Sequence, residues 1–254
     1  MRVASVIKRT KQLRASTSQT LSPVEKILSY NKVTGHSVNF PIYPTCKPSA
    51  VCTARCYYAS GGPSWPASLK KQLRLYESVT ADPVGIADRL VLEVRGMRHQ
   101  PSFLRWNGGG DLFPASVRML NRFASEMPEL PIWVVTRRAD QLPTITPAEN
   151  VFIHFSLDKS SMERKEAARS KAPPKLKLFF SYQADKGEVV TKTQLDGISV
   201  LFYDNYDPAE IPSDIVREVI CPLNTADSIT GVCESCRRCF DGSAATHASA
   251  RLSK

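Results

Sequence analysis

Polar and apolar positions along this chain fall into two alternating rhythms. Short runs rich in β-branched and aromatic residues occur at 37–43, 102–107, 132–136, 151–157, 176–182 and 198–203, and they predict strands. The segments between them carry helical spacing at 67–80, 83–97, 114–126 and, more briefly, 160–170. Pro83 suits the first turn of its helix, where a missing N–H costs nothing. Strands interleaved with helices are the mark of parallel βαβ units. The expected fold is therefore α/β, a partial (β/α)6 barrel of parallel strands with a lateral opening. Catalytic groups are expected at the C-terminal ends of its strands. The alternation fades after about Asp204, which predicts three parts: an arm over 1–30, the barrel over 31–211, and a small cysteine-rich appendage and tail over 212–254.

Composition narrows the class. With 254 residues, 42% hydrophobic and 23% charged, the chain can bury one sizeable core and is too apolar to be disordered. It contains no internal repeat, and no apolar run reaches the roughly eighteen residues of a membrane span. Seven cysteines, an odd number, with no recognisable signal peptide, point to a reduced, cytoplasmic protein without a disulfide framework. The formal net charge is +10, and Arg2, Lys8, Arg9, Lys11 and Arg14 precede the first acid, Glu25. Such an arm fits a solvated tail, non-specific contacts to nucleic-acid phosphates, or a transit peptide.

The cysteines form two groups. Cys46, Cys52 and Cys56 follow the first predicted strand. Three clustered thiols without a fourth suggest a metal centre with one open coordination position. Zinc completed by His36 or a carboxylate is the competing occupant. Cys233, Cys236 and Cys239 form a C-x2-C-x2-C run, and the remote Cys221 precedes Pro222. That arrangement matches the ligands of a ferredoxin-type [4Fe–4S] cluster, with a closed four-thiolate zinc site as the alternative.

Taken in order, these parts resemble the radical S-adenosylmethionine (radical SAM) superfamily, in which a three-cysteine loop follows the first strand of a partial (β/α)6 barrel. The family's glycine-rich turn ending in an acid resembles Gly108-Gly109-Gly110-Asp111. Its polar turn after the third strand resembles Thr136-Arg137, and its Ser-Leu-Asp on the fourth strand is similar to Ser156-Leu157-Asp158. The spacing here is C-x5-C-x3-C rather than the commoner C-x3-C-x2-C. It is similar to divergent, phage-encoded branches whose loop ends in Cys-Tyr, as Cys56-Tyr57 does.

The resemblance implies two [4Fe–4S] clusters, one binding SAM and one auxiliary. It implies that Gly108, Gly109, Gly110 and Asp111 hold the methionine ammonium, that Arg137 beside Thr136 pairs with its carboxylate, and that Ser156 or Asp158 binds the ribose. Tyr57 or Tyr58 would meet the adenine. The implied reaction is one-electron cleavage of SAM to methionine and a 5′-deoxyadenosyl radical that abstracts hydrogen from a substrate. An external donor such as flavodoxin or ferredoxin would supply the electron. The charge favours nucleic acid or a nucleotide as substrate. The contrasting reading is a non-catalytic zinc or iron–sulfur protein that grips nucleic acid through Arg137, Arg138, Arg237 and Arg238. A hydrolytic zinc enzyme is poorly served by four histidines without an H-E-x-x-H pattern.

Overall fold

The computed structural model describes residues 3–16, 20–185, 187–202, 219–221 and 232–241. Among them, seven strands form one sheet in chain order: β1 (Ser29–Asn31), β2 (Gly35–Val38), β3 (Leu104–Trp106), β4 (Ile132–Thr136), β5 (Val151–Leu157), β6 (Lys177–Gln183) and β7 (Val200–Phe202). The first pair is antiparallel and every later pair is parallel. A doubly wound sheet reverses its order at a switch point. Here each parallel strand lies beside its chain neighbour, which is the connectivity of a barrel wall.

Helices fill the crossovers: α4 (Pro66–Ala81) and α5 (Pro83–Arg95) between β2 and β3, α6 (Pro114–Glu126) between β3 and β4, and α7 (Arg164–Lys171) between β5 and β6. Two short helices, α2 (Ile42–Thr45) and α3 (Ala50–Arg55), carry the first cysteine group, and α8 (Lys192–Leu195) precedes β7. The pattern places β4, β5 and α6 at their observed bounds. It does not predict the edge strand β1, whose three residues, Ser29, Tyr30 and Asn31, carry no apolar alternation. The first predicted strand overran its end: β2 stops at Val38, and Pro41 and Pro44 turn the chain into α2.

Strand alternation gives the sheet two unlike faces. Val38, Leu104, Trp106, Val134, Ile153, Phe155 and Tyr182 point outward and pack with Val79, Leu90, Leu120 and Phe123 of the helices. The inner face carries Ser37, Arg105, Trp133, Phe152, His154 and Phe179.

Two terminal segments depart from the expected layout. The acid-free stretch is not a solvated tail, because residues Val3–Ser16 form the helix α1. Its Val3 and Val6 pack against Ile42, Tyr58 and Leu69, with Cys46 and Cys56 at the edge of the same cluster. The basic residues hid an i, i+3, i+4 stripe of Val3, Val6, Ile7 and Thr10. At the other end, residues 203–218, 222–231 and 242–254 lie outside the described residues, and with them much of the predicted appendage and the end of the last predicted strand. Its described parts lie against the sheet. Ile220 bridges Leu201, and Phe240, beyond the helix α9 (Val232–Cys236), stacks on Phe103 at 4.0 Å.

Candidate active site

The first cysteine group is shaped by two caps. Cys46 closes α2, its N–H donating to the Ile42 carbonyl at 3.0 Å. Ser49 caps the start of α3, its Oγ accepting from the Cys52 N–H at 3.1 Å, and Cys56 ends that helix. The three half-buried thiols share one electrostatic environment. Burial pushes Cys46 well up, and Asp111 and the other two thiols add to it. Burial also raises Cys52 and Cys56, while the Arg137 guanidinium pulls both down. A cation facing thiols is the setting in which thiolate is stabilised.

The strand ends beside this loop are tied into a hydrogen-bonded knot. The Asp111 carboxylate accepts from Thr136 Oγ1 at 2.6 Å and from the Leu112 and Arg137 N–H groups at 2.7 and 3.2 Å. Burial nevertheless pushes its carboxyl up to about 6. Arg137 Nη1 donates to Asp158 Oδ2 at 2.6 Å and to Ser49 Oγ at 3.3 Å, and Ser49 Oγ donates to the same carboxylate. For Asp158 burial pulls upward, but the hydrogen bonds from Ser49 and Ser160 and the Arg137 charge outweigh it and leave the carboxyl low. Three strand ends and the cysteine loop are thereby locked in register, and Ser49, which sequence reading passed over, is the joint. The clue to it was its N-cap position three residues before Cys52.

The glycine turn has a different purpose at each position. A Cβ on Gly108 would lie 2.3 Å from Asn39 Oδ1, one on Gly109 2.0 Å from the Tyr58 ring, and one on Gly110 2.7 Å from the Phe40 carbonyl. Only Gly110 of the three has positive φ, at 75°. The turn is thus packed by the protein's own groups. The Gly108 carbonyl accepts from Tyr57 Oη, and the Gly109 carbonyl accepts from the Phe40 N–H. Asp111, Thr136, Arg137 and Asp158 lie at the strand ends beside the three cysteines. Ser156 faces the inner side of β5, opposite Ser181. His36, the alternative zinc ligand, instead packs at a tilt against Tyr30, with ring centroids 5.0 Å apart, near the start of β2.

The second group lies on the inner face, toward the strand beginnings. Cys233 and Cys239 pack with Phe103, Trp133, Phe152 and Phe240. Glu234 Oε1 accepts from Ser102 Oγ at 3.0 Å, and the Cys239 carbonyl meets His154 Nε2 at 3.1 Å. Burial pushes Cys239 well up, with Cys221, Cys233 and Cys236 each adding, so the four thiols sense one another. Arg105, also passed over, joins the two groups. Its Nη2 donates to Tyr57 Oη at 2.7 Å, its guanidinium lies over Trp133 at 4.8 Å, and its charge lowers Cys233 and Cys239 against burial. A charged residue between Leu104 and Trp106, inside a strand, was the available signal. The arginines of the nucleic-acid reading are engaged within the fold. Arg137 pairs with Asp158 and Arg138 with Asp140, Arg237 lies over Phe240, and Arg238 donates to the Ile220 carbonyl.

Among the described residues, no three His, Cys, Asp or Glu side chains are arranged around a single metal ion. An iron–sulfur cluster does not require that, because each thiolate binds a different iron of a larger body. Both donor sets, three and four cysteines without histidine, fit such a group.

Family comparison decides the membership, since one family model, Gene product 88, matches residues 5–242. The chain belongs to the Gene product 88 family. The match spans both cysteine groups, so in this Gene product 88 member the rim loop and the inner-face segment fall within one family unit. No curated protein and no solved structure matches the chain. Among the described residues, no helix is long and apolar enough to cross a membrane.

Proposed function

We propose that this Gene product 88 member is a radical SAM enzyme. The observation that carries the reading is the three-thiol loop beside the Arg137–Asp158 pair, at the C-terminal ends of parallel strands in sequential order. When bound there, a three-thiolate [4Fe–4S] cluster supplies one-electron cleavage of the SAM sulfonium, releasing methionine and a 5′-deoxyadenosyl radical. The chain's own groups hold the parts. Cys46, Cys52 and Cys56 would hold the cluster, and Ser49 and Asp158 fix Arg137, whose remaining N–H groups would be available to the methionine carboxylate. Asp111 and Thr136 fix the turn beneath it. Cys221, Cys233, Cys236 and Cys239 hold a second, closed cluster against the inner face. The helix α1 shields Cys46 and Cys56, and its exposed Lys8 and Lys11 favour a negatively charged partner, either the electron donor or nucleic acid.

Anaerobic reconstitution with iron and sulfide, followed by chromatography for 5′-deoxyadenosine, tests the reading. About seven to eight irons per chain and release of the nucleoside are expected. The Cys46→Ala/Cys52→Ala/Cys56→Ala variant should keep about four irons and release none. Stoichiometric zinc without nucleoside release would favour the non-catalytic binder.

A further inference from the structure

We infer that the outer surface of α1, together with the turn 60–65 and the start of α4, binds single-stranded nucleic acid beside the cysteine loop. That the bound strand carries the substrate rests on the function proposed above; the docking itself does not.

The first observation is where the charge sits. The first 76 residues hold twelve lysines and arginines and a single acid, Glu25, whereas the remainder holds 22 against 23. The positive excess therefore belongs to the part of the chain that contains α1, the cysteine loop and most of α4. Much of it is uncompensated. Glu25 pairs with Arg74, and Glu77, the one acid of α4, pairs with Arg14. Lys8, Arg9, Lys11 and Lys70 have no acidic partner among the described residues. Three of them wrap α1. Lys8 is exposed, Arg9 Nη1 donates to the Ser64 carbonyl at 3.2 Å on the α4 side, and Lys11 Nζ lies over the Tyr43 ring at 4.9 Å on the α2 side. These cations span the width of a helix, about 10 Å, and a phosphate backbone crossing α1 meets them in turn.

The second observation is aromatic. Trp65 is 64% exposed, and Tyr57, directly after Cys56, is 48% exposed. The turns Tyr57–Ala59 and Gly62–Ser64 that carry them pack against each other. Nothing crowds the approach, because a Cβ on Gly61 or Gly62 would meet no atom within 4 Å. An exposed indole flanked by cations is the pairing that holds unpaired bases: the ring stacks on a base face while the lysines take the phosphates.

Other anionic occupants fit less well. At a protein interface a tryptophan sits in an apolar patch from which lysine is depleted. The exposed residues that flank Trp65 in the chain are Ser60, Gly61, Pro66, Ala67 and Lys70, with no large aliphatic side chain among them. A duplex keeps its base faces stacked inside, so it engages the lysines and leaves Trp65 unused. A single strand uses both.

Fluorescence anisotropy of a labelled single-stranded oligonucleotide with the full-length protein, before and after reconstitution, tests this. Trp106 and Trp133 are buried, so binding should quench the emission of Trp65. Trp65→Ala should abolish that quenching and weaken binding about tenfold. Lys8→Gln/Lys11→Gln should weaken binding and lower the slope of log affinity against log salt by about 1.4, at about 0.7 per lost phosphate contact. Lys171→Gln/Lys175→Gln removes the same charge elsewhere and should change neither quantity, with the thermal midpoint serving as the folding control throughout. A duplex of the same sequence should bind more weakly and without quenching. No binding, equal losses from the two double variants, a duplex bound as tightly as the single strand, or a complex with acidic flavodoxin in place of one with the oligonucleotide would overturn the inference. Strand binding without 5′-deoxyadenosine release would instead remove the radical SAM reading and leave this surface standing; release without strand binding would do the reverse.

Discussion

A methyl group on Gly109 would enter the Tyr58 ring, which follows Cys56 by two residues. Gly109→Val should therefore cost about 1–3 kcal/mol by overpacking and disturb the cysteine loop as well as the turn. Urea denaturation and iron content after reconstitution measure both effects. A fully stable, fully loaded variant would show that Tyr58 moves aside freely.

Asp111 predicts a pH dependence. Its ordinary value is 3.8, and in the fold burial raises it to about 6. A carboxyl raised by folding stabilises the native state below its unfolded value and loses that contribution as pH rises through the folded one. The gap corresponds to about 3 kcal/mol. Between about pH 4 and pH 7 the metal-free protein should lose stability relative to Asp111→Asn by that order. Denaturation curves of both proteins across the range check it, and parallel curves would refute it. Arg105 is the third residue whose removal has a definite sign. With its charge gone, the Cys233 and Cys239 thiolates lose a compensating cation, so Arg105→Gln should speed release of metal from the proposed second centre to a chelator several-fold. Arg105→Lys should recover part of the difference, which a merely structural role would not.

At the scale of elements, α1 is the segment most easily misread. Its arginines and lysines dominated the composition, and the four-residue spacing of Val6 and Thr10, both buried, passed beneath them. Val6→Asp would place an unpaired charge against Ile42 and Leu69 and should undock the helix. Iodoacetamide labelling followed by mass spectrometry should then modify Cys46 and Cys56 faster than in the parent chain; unchanged rates would mean that α1 does not cover them. Central elements were legible because burial on one or both faces leaves a periodic trace: Ile132–Thr136 and Val151–Leu157 read as strands with their observed ends. Three-residue β1 leaves no trace of that kind. Position was legible for Asp111, Thr136, Arg137 and Asp158, because each follows or ends an apolar strand. Their mutual hydrogen bonds were not, since these join residues up to 109 positions apart, as Ser49 and Asp158 are, and only the side-by-side pairing of the strands brings them together.

For the molecule as a whole, the two cysteine groups stand at opposite ends of one surface, the first at the strand C-termini and the second near the strand beginnings. Tyr57 and Arg105 form a direct connection between them, from the residue after Cys56 to the ring of Trp133. The same arrangement sets an order of assembly. Synthesis runs from the N-terminus, so a nascent chain that has emerged as far as Phe202 already holds every described strand, α1 and the first three cysteines. Phe240 and its thiols arrive afterwards, as a stopper fitted from below. Until then Phe103, Trp133 and Phe152 lack the cover that Phe240 and Cys239 later lay over them.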